Sequence, residues 1–226
     1  ESGELAKSYT STMMSARLLR LETTEEGQAG FGAEQLQVVL NVFFNQLMTT
    51  ITDHGGDILR LAGDALIVAF TGEHRMKSVV DTSLLLRAAL VSALCIKRLD
   101  GTKILGHVLH LHIALGVGNL ELYTVGGPYE GWQYVAAGAP FSDLASSMDD
   151  GTAGEMILSR NYWNDLIASS DEHPHAAGAQ KSAKGPAVSA DYPSGSTMSL
   201  GGLEWRLWDI EGGNVKIEAT ADAESV

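Results

Sequence analysis

His54-Gly55-Gly56-Asp57-Ile58-Leu59-Arg60-Leu61-Ala62-Gly63-Asp64-Ala65-Leu66-Ile67-Val68-Ala69-Phe70 is the stretch on which the fold turns. Two short apolar runs flank a Gly63-Asp64 step of the kind tight turns use. Apolar runs of that length on both sides of a turn read as a β-hairpin buried in a sheet. Immediately upstream, Leu36, Val39, Leu40, Phe43, Leu47 and Ile51 recur at spacings of three and four. That period places them on one face of a helix, which His54-Gly55-Gly56 ends through a left-handed glycine cap.

Working outward, a second helix is expected over about 77–99, where apolar residues again share one side. Leu109, Leu111, Ile113, Leu115 and Val117 alternate with other residues as a half-buried strand does, and Leu120 to Val125 reads as its partner strand. After a turn at Gly126-Gly127-Pro128, Trp132 to Ala136 resumes extended structure. Pro140 to Met148 suits a short helix with proline in its first turn, Glu155 to Leu158 a strand, and Ser159 a cap for a helix to about Ile167. Residues 168–202 shift to Ala, Ser, Gly, Pro and His and read as a flexible loop or insertion. Residues 203–218 suggest a closing strand hairpin, and 219–226 a disordered tail. Residues 1–30 are weakly patterned, with a helical candidate over Met13 to Leu21. The succession of helix, hairpin, helix and strands describes an α+β fold, one sheet with helices packed on one side.

The chain has 226 residues, of which 45% are apolar, enough for one domain with a sizeable core and some appendages. A net charge of −13 argues against nucleic acid or anionic lipid as a partner, since both demand a positive field. An anionic substrate would need a divalent cation or a few basic side chains at its site. Cys95 is the only cysteine, so no intrachain disulfide forms, and a reducing, cytoplasmic setting is expected. No basic-then-apolar leader opens the chain, and Asp81 and Arg87 interrupt its richest apolar stretch, Val79 to Ile96. Neither a secretory signal nor membrane insertion is therefore expected. Opening on Glu1, the chain reads as a piece of something longer.

The run from Gly32-Ala33-Glu34-Gln35-Leu36 through Asn41, followed by His54 to Leu66, resembles the class III adenylyl cyclases. The likeness is to the first cyclase domain of the bicarbonate-responsive soluble group. There a helix opening Gly-Ala-Glu leads into Gly-Gly-Asp, a strand and Ala-Gly-Asp-Ala-Leu-Leu; here Arg60 replaces a lysine and Leu61 a phenylalanine. The resemblance resumes at Gly126-Gly127, at Trp132 to Pro140, and at Gly154 to Ser159 with Trp163. It implies a ferredoxin-like βαββαβ fold with a cyclase homology core over 31–167, residues 1–30 being a degenerate or truncated N-terminal part. It also implies a second cyclase homology domain as partner, and ATP as the nucleotide converted to cyclic AMP and pyrophosphate.

In that family two aspartates from adjacent strand ends hold two Mg2+ or Mn2+ ions. These clamp the attacking ribose oxygen and the phosphates. The resemblance makes Asp64 one of the pair, and Gly63 and Arg60 candidates for nucleotide or anion binding. On the hairpin alone, an aspartate bonding its own turn is the plainer reading. The other aspartate belongs after the first strand, in an Asp-Ile-Ser-Gly-Phe-Thr type motif that this sequence lacks. Either Glu1-Ser2-Gly3 is its remnant, with the aspartate upstream, or Ser8-Tyr9-Thr10 replaces Gly-Phe-Thr and Leu5 takes its place. Both alternatives leave the first strand missing. The transition-state asparagine and arginine would fall in Ala139 to Ser147, which contains neither. That fits a first domain, which gives metal ligands while its partner gives those groups, and no catalytic residue is assigned here. Arg60 stands where the soluble enzymes carry a lysine near a bicarbonate pocket, but the companion arginine falls at Ala145, so a surface or ion-paired Arg60 is expected.

Two functions follow: the first half of an adenylyl cyclase, or a catalytically inactive homology domain kept for pairing or regulation. A diguanylate cyclase is set aside because Ala62-Gly63-Asp64-Ala65-Leu66 lacks the glutamate of Gly-Gly-Asp-Glu-Phe. His110 and His112, with His107 nearby, share a strand but lack a fourth zinc ligand and are expected to face solvent. Cys95 is expected to be a buried small residue in its helix.

Overall fold

Met13 to Leu21, the stretch with helical spacing, lies in the middle of a sheet. In the computed structural model, which describes residues 5–23, 33–72, 82–127, 131–169, 195–200, 203–210 and 213–219, strand β1 (Leu5–Thr23) runs through all of it. Tertiary pairing overrides the local pattern, because β1 is hydrogen-bonded along both edges. The first strand, expected to be missing, is present.

The remaining elements follow in order as α1 (Ala33–Asp53), the hairpin β2 (Asp57–Ala62) and β3 (Ala65–Thr71), α2 (Thr82–Lys97), β4 (Thr102–Ile104), β5 (His107–Gly127), β6 (Gly131–Gly138), α3 (Ala139–Asp149), β7 (Met156–Leu158), α4 (Arg160–Ala168), β8 (Thr197–Leu200), β9 (Leu203–Asp209) and β10 (Val215–Ala219). The strands form one sheet in the order β2-β3-β1-β5-β7-β10-β9-β8, with β4 and β6 also pairing β5. β5 and β7 are parallel; the other described pairs are antiparallel. This is an α+β fold. β8 occupies the C-terminal end of the stretch read as a loop, and residues 170–194 and 220–226 lie outside the described residues.

One apolar stripe per helix builds the core. Val39, Phe43, Leu47 and Ile51 of α1 and Leu86, Ala89, Leu90, Ala93 and Ile96 of α2 pack on one sheet face, as do Tyr162 and Trp163 of α4. They meet Met14, then Leu66, Val68 and Phe70 of β3, and Leu109 to Val117 of β5 at alternate positions. Each fully buried large apolar side chain contributes about 1.5–3 kcal/mol. The short α3 lies against the opposite face, where Leu144 packs with Ala69, Ala114 and Leu120.

Leu120 to Val125 is not the partner of the preceding strand but its continuation. β5 runs unbroken to Gly127, and its second half pairs with β6 and with the first half of β1. Gly116 and Gly118 mark the crossing of α3. A Cβ at Gly116 would stand 2.9 Å from Asp143 Cβ, and one at Gly118 would stand 3.1 Å from Pro140 Cδ.

Candidate functional site

Ala62 pairs with Ala65, so Gly63 and Asp64 are the two loop residues of the β2–β3 hairpin. Gly63 has φ 63°, while Asp64 is not in the positive-φ region; a positive first turn residue alone is the type II′ pattern that glycine suits. The Asp64 side chain is exposed at the tip. Arg60 is also exposed, on the edge strand. It pairs with Ile67 after an irregularity at Leu59. Ile67 belongs to the face against which α3 packs, so Arg60 registers on that face too.

The strand beside this turn is β1. Arg17 pairs with Ala65 on β3 and with His112 on β5. β1 then continues past the hairpin tip through Leu18, Leu19 and Arg20. Leu5, paired with Thr124, lies twelve positions earlier, about 40 Å back along an extended strand. Neither Leu5 nor a residue leading into it therefore adjoins Asp64. The adjoining positions are Arg17 to Arg20, and none is a carboxylate. Glu22, the next acid on β1, pairs with Val108, about 15 Å beyond Arg17 along the strand. Among the described residues, no group of three or more His, Cys, Asp or Glu could hold a metal ion. Among the described residues, none of the β1 positions beside Asp64 supplies the second carboxylate of the two-carboxylate cradle that Mg2+ or Mn2+ uses between adjacent strand ends.

In α3, Ser142 and Ala145 point to solvent, and Asp143 is committed to structure. Ser159 Oγ donates to its Oδ2 at 2.9 Å, and Asn161 Nδ2 donates to both carboxylate oxygens at 3.1 and 3.2 Å. Burial, with Asp143 nearby, raises the pKa of Asp165 above the ordinary carboxylate value. At the other end of α3, buried Asn214 donates to Asp150 Oδ2 at 2.7 Å and accepts from the Arg160 amide at 3.1 Å. Arg160 also bonds Asp209 at 2.9 Å. Sequence reading missed both networks. Only the helix cap at Ser159 has a local signal, and it is observed: its Oγ accepts from the Tyr162 amide at 3.1 Å.

The histidines are placed differently from expectation. His107 and His112 are 1% exposed rather than solvent-facing. The segment leading to β7 covers His112 so closely that a Cβ at Gly151 would stand 2.1 Å from its Nε2. His110 Nδ1 lies 3.5 Å from Asp100 Oδ1, and Asp100 is already engaged by the Leu111 amide at 2.8 Å and Lys97 Nζ at 2.9 Å. Cys95 is half-buried, its Sγ 3.9 Å from His54 Nε2. Among the described residues no helix is long and apolar enough to cross a membrane.

A non-canonical dimeric guanylyl cyclase domain of the RhoGC fusion protein from Blastocladiella emersonii aligns over 95% of this chain and 97% of its own, with TM-score 0.59 and 14% identity. The chain has the fold of a class III nucleotide cyclase domain. The adenylyl cyclase CyaB from P. aeruginosa aligns over 73% of this chain and 83% of its own, with TM-score 0.55 and 18% identity. Adenylate cyclase type 10 of Oryctolagus cuniculus is 26% identical over 135 residues, covering 58% of this chain. That match spans 8% of the length of the relative. No family model matches. In this fold the β2–β3 hairpin carries Asp64 at its tip, and the stretch of β1 beside it reads Arg17-Leu18-Leu19-Arg20.

Proposed function

We propose that this chain is a cyclase homology domain that acts as the pairing half of a two-domain assembly in the cytoplasm and no longer holds the catalytic metal ions itself. The observation that carries this reading is the β1 register: Arg17 to Arg20, not a carboxylate, adjoin the Asp64 turn. Pairing is supported by the β5–β6 hairpin, where Val125 and Val135 on one face are 50% and 47% exposed and Tyr134 on the other is 80% exposed. Exposed apolar side chains on both faces of a hairpin suit contact with another protein surface. The occupant that suits this fold is a second cyclase homology domain.

A second reading is favoured by Asp64 itself, exposed at a turn of defined geometry. In it the chain is the first half of an adenylyl cyclase that converts ATP to cyclic AMP and pyrophosphate with Mg2+ or Mn2+, Asp64 serving as a ligand and Gly63 and Arg60 lying near the nucleotide. One experiment separates the two. The chain is co-purified with a complementary cyclase domain, and cyclic AMP is measured with Mn2+ and ATP, with and without Asp64→Ala. The pairing reading expects no turnover by the chain alone and an Asp64→Ala assembly as active as its parent. Loss of the assembly's activity in Asp64→Ala would return Asp64 to the reaction and sink the proposal of a lost metal site.

A further inference from the structure

α1 carries a second stripe, on the side turned away from the sheet. Val38, Val42, Asn45 and Thr49 follow one another at intervals of four, three and four residues, and all are exposed, Val38 at 51% and Val42 at 44%. Those intervals are the heptad spacing of a helix that packs against another helix, and a lone asparagine in such a seam favours one register. The inner stripe of Val39, Phe43, Leu47 and Ile51 keeps to intervals of four and is buried against the sheet.

The flanks of the outer stripe share its character. No charged residue stands between Gln35 and Thr52, although 19% of the chain is charged. The exposed neighbours Gln35, Gln37, Asn41 and Gln46 are all amides. Acids stand only at the ends of this helix, Glu34 in the first turn and Asp53 at the last position. Valine, threonine and asparagine are weaker helix formers than the glutamate or lysine that solvent-facing positions accept, and uncharged flanks forgo stabilising ion pairs one turn apart. Local helix stability therefore does not account for the stripe, whereas a second surface packed on it does.

We propose that the outer stripe of α1 pairs with the same stripe of a second copy of this chain, in a two-fold helix-to-helix contact. Charge selects the occupant. Two copies each carry a formal net charge of −13 and repel where their acidic surfaces meet. A helix face without charge over about five turns lets them approach. Amides donate and accept hydrogen bonds at once, so a face flanked by them is complementary to itself, as an isologous contact requires. A basic partner would gain nothing from a face that lacks acids. One pair of helices buries less than a standard interface, so the contact is weak and forms at high local concentration. It does not use the β5–β6 hairpin and does not depend on the pairing with a cyclase homology domain proposed there.

Sedimentation velocity of the full chain between about 10 µM and 1 mM, the range of weak association, tests the contact. The sedimentation coefficient is expected to rise with concentration, and to rise further in high salt, which screens the net charge and the acids at the stripe's ends. Val42→Glu places like charges in the contact and should weaken pairing by at least about tenfold, as should Val42→Lys. An equimolar mixture of the two variants should regain it. Both put a better helix former at an exposed position, so thermal unfolding should show no loss of stability. A Val125→Glu/Val135→Glu chain should self-associate as its parent does, while co-purification with a complementary cyclase domain should survive Val42→Glu. A chain that stays monomeric throughout, pairing untouched by either Val42 variant, a mixture that stays monomeric, or pairing lost only in the hairpin variant would each overturn the proposal.

Discussion

Ser159 Oγ donates to Asp143 Oδ2 at 2.9 Å while accepting the Tyr162 amide proton at 3.1 Å, so a single hydroxyl caps α4 and ties it to α3. The two helices lie on opposite faces of the sheet, and this contact joins them past the C-terminal end of the interior strand β7. Asn161 reinforces it from the first turn of α4.

Asp143→Ala removes the acceptor for both partners at once. It is expected to lower unfolding free energy by about 1–3 kcal/mol, the range for bonds to an ionised acceptor. Asp165 loses its anionic neighbour, so its raised pKa should fall toward the ordinary value. Urea denaturation and NMR titration of Asp165 check the two effects. Ser159→Ala added to Asp143→Ala should cost less than Ser159→Ala alone, because the partners share one network. Full additivity would show that the contact does not couple the helices.

Tyr162 gives a prediction about alkaline pH. Its hydroxyl donates to the Leu86 carbonyl at 2.6 Å in the core, and burial pushes the phenol far above its usual range. Below about pH 10 both the folded and unfolded chains keep this proton, and it contributes no pH dependence. Above that the unfolded chain releases it while the folded chain does not, so the folding equilibrium shifts toward the unfolded state by up to about tenfold per pH unit. Tyr162→Phe should cost about 1 kcal/mol at neutral pH from the lost hydrogen bond. Denaturation midpoints between about pH 10 and 11 should then fall less steeply than in the parent. Equal steepness would count against a buried, proton-retaining phenol.

What the sequence disclosed divides by the range of the signal. The α1 stripe, the hairpin around Gly63-Asp64 and the cap at Ser159 all depend on residues within a few positions of one another, and all were legible. β1 was not, because its strand character comes from β3, which starts at Ala65, and from β5. Its bulge at Leu19 further obscures any alternation. The length of β5 was hidden by Gly116 and Gly118, whose reason is the later α3. Asp143 and Asn214 find partners 16 to 64 residues away, and no local rule anticipates such pairs. The turn that carries Asp64 was legible, and the strand beside it was not, since that strand could be identified only from pairing.

The crossing of α3 over β5 can be tested at Gly116. Its added Cβ would meet Asp143 Cβ at 2.9 Å and the Pro140 carbonyl oxygen at 3.2 Å, and the latter is backbone. Gly116→Val should therefore displace α3 and destabilise the fold by about 1–3 kcal/mol, as overpacking does. Gly63→Ala provides the contrast. There a Cβ meets nothing within 4 Å and only the positive φ resists, a cost near 1 kcal/mol. Thermal unfolding should rank Gly116→Val below Gly63→Ala, and the reverse order would mean that α3 does not bear on β5 as described.

The strand beside Asp64 makes the last prediction. If Arg17 to Arg20 occupy the place of a lost ligand, returning an aspartate there should rebuild a two-carboxylate site, which one acid alone does not make. Leu18→Asp, Leu19→Asp and Arg20→Asp sample the positions leading past the turn, with the bulge deciding which shares a side with Asp64. At least one of the three should become more stable in Mn2+ than in EDTA, by about 2.7 kcal/mol where the ion exceeds its dissociation constant a hundredfold. The parent chain should show no such difference, and adding Asp64→Ala to the responsive variant should erase it. If none of the three responds to Mn2+, the missing carboxylate did not stand on this part of β1, and the account of how the metal site was lost fails with it.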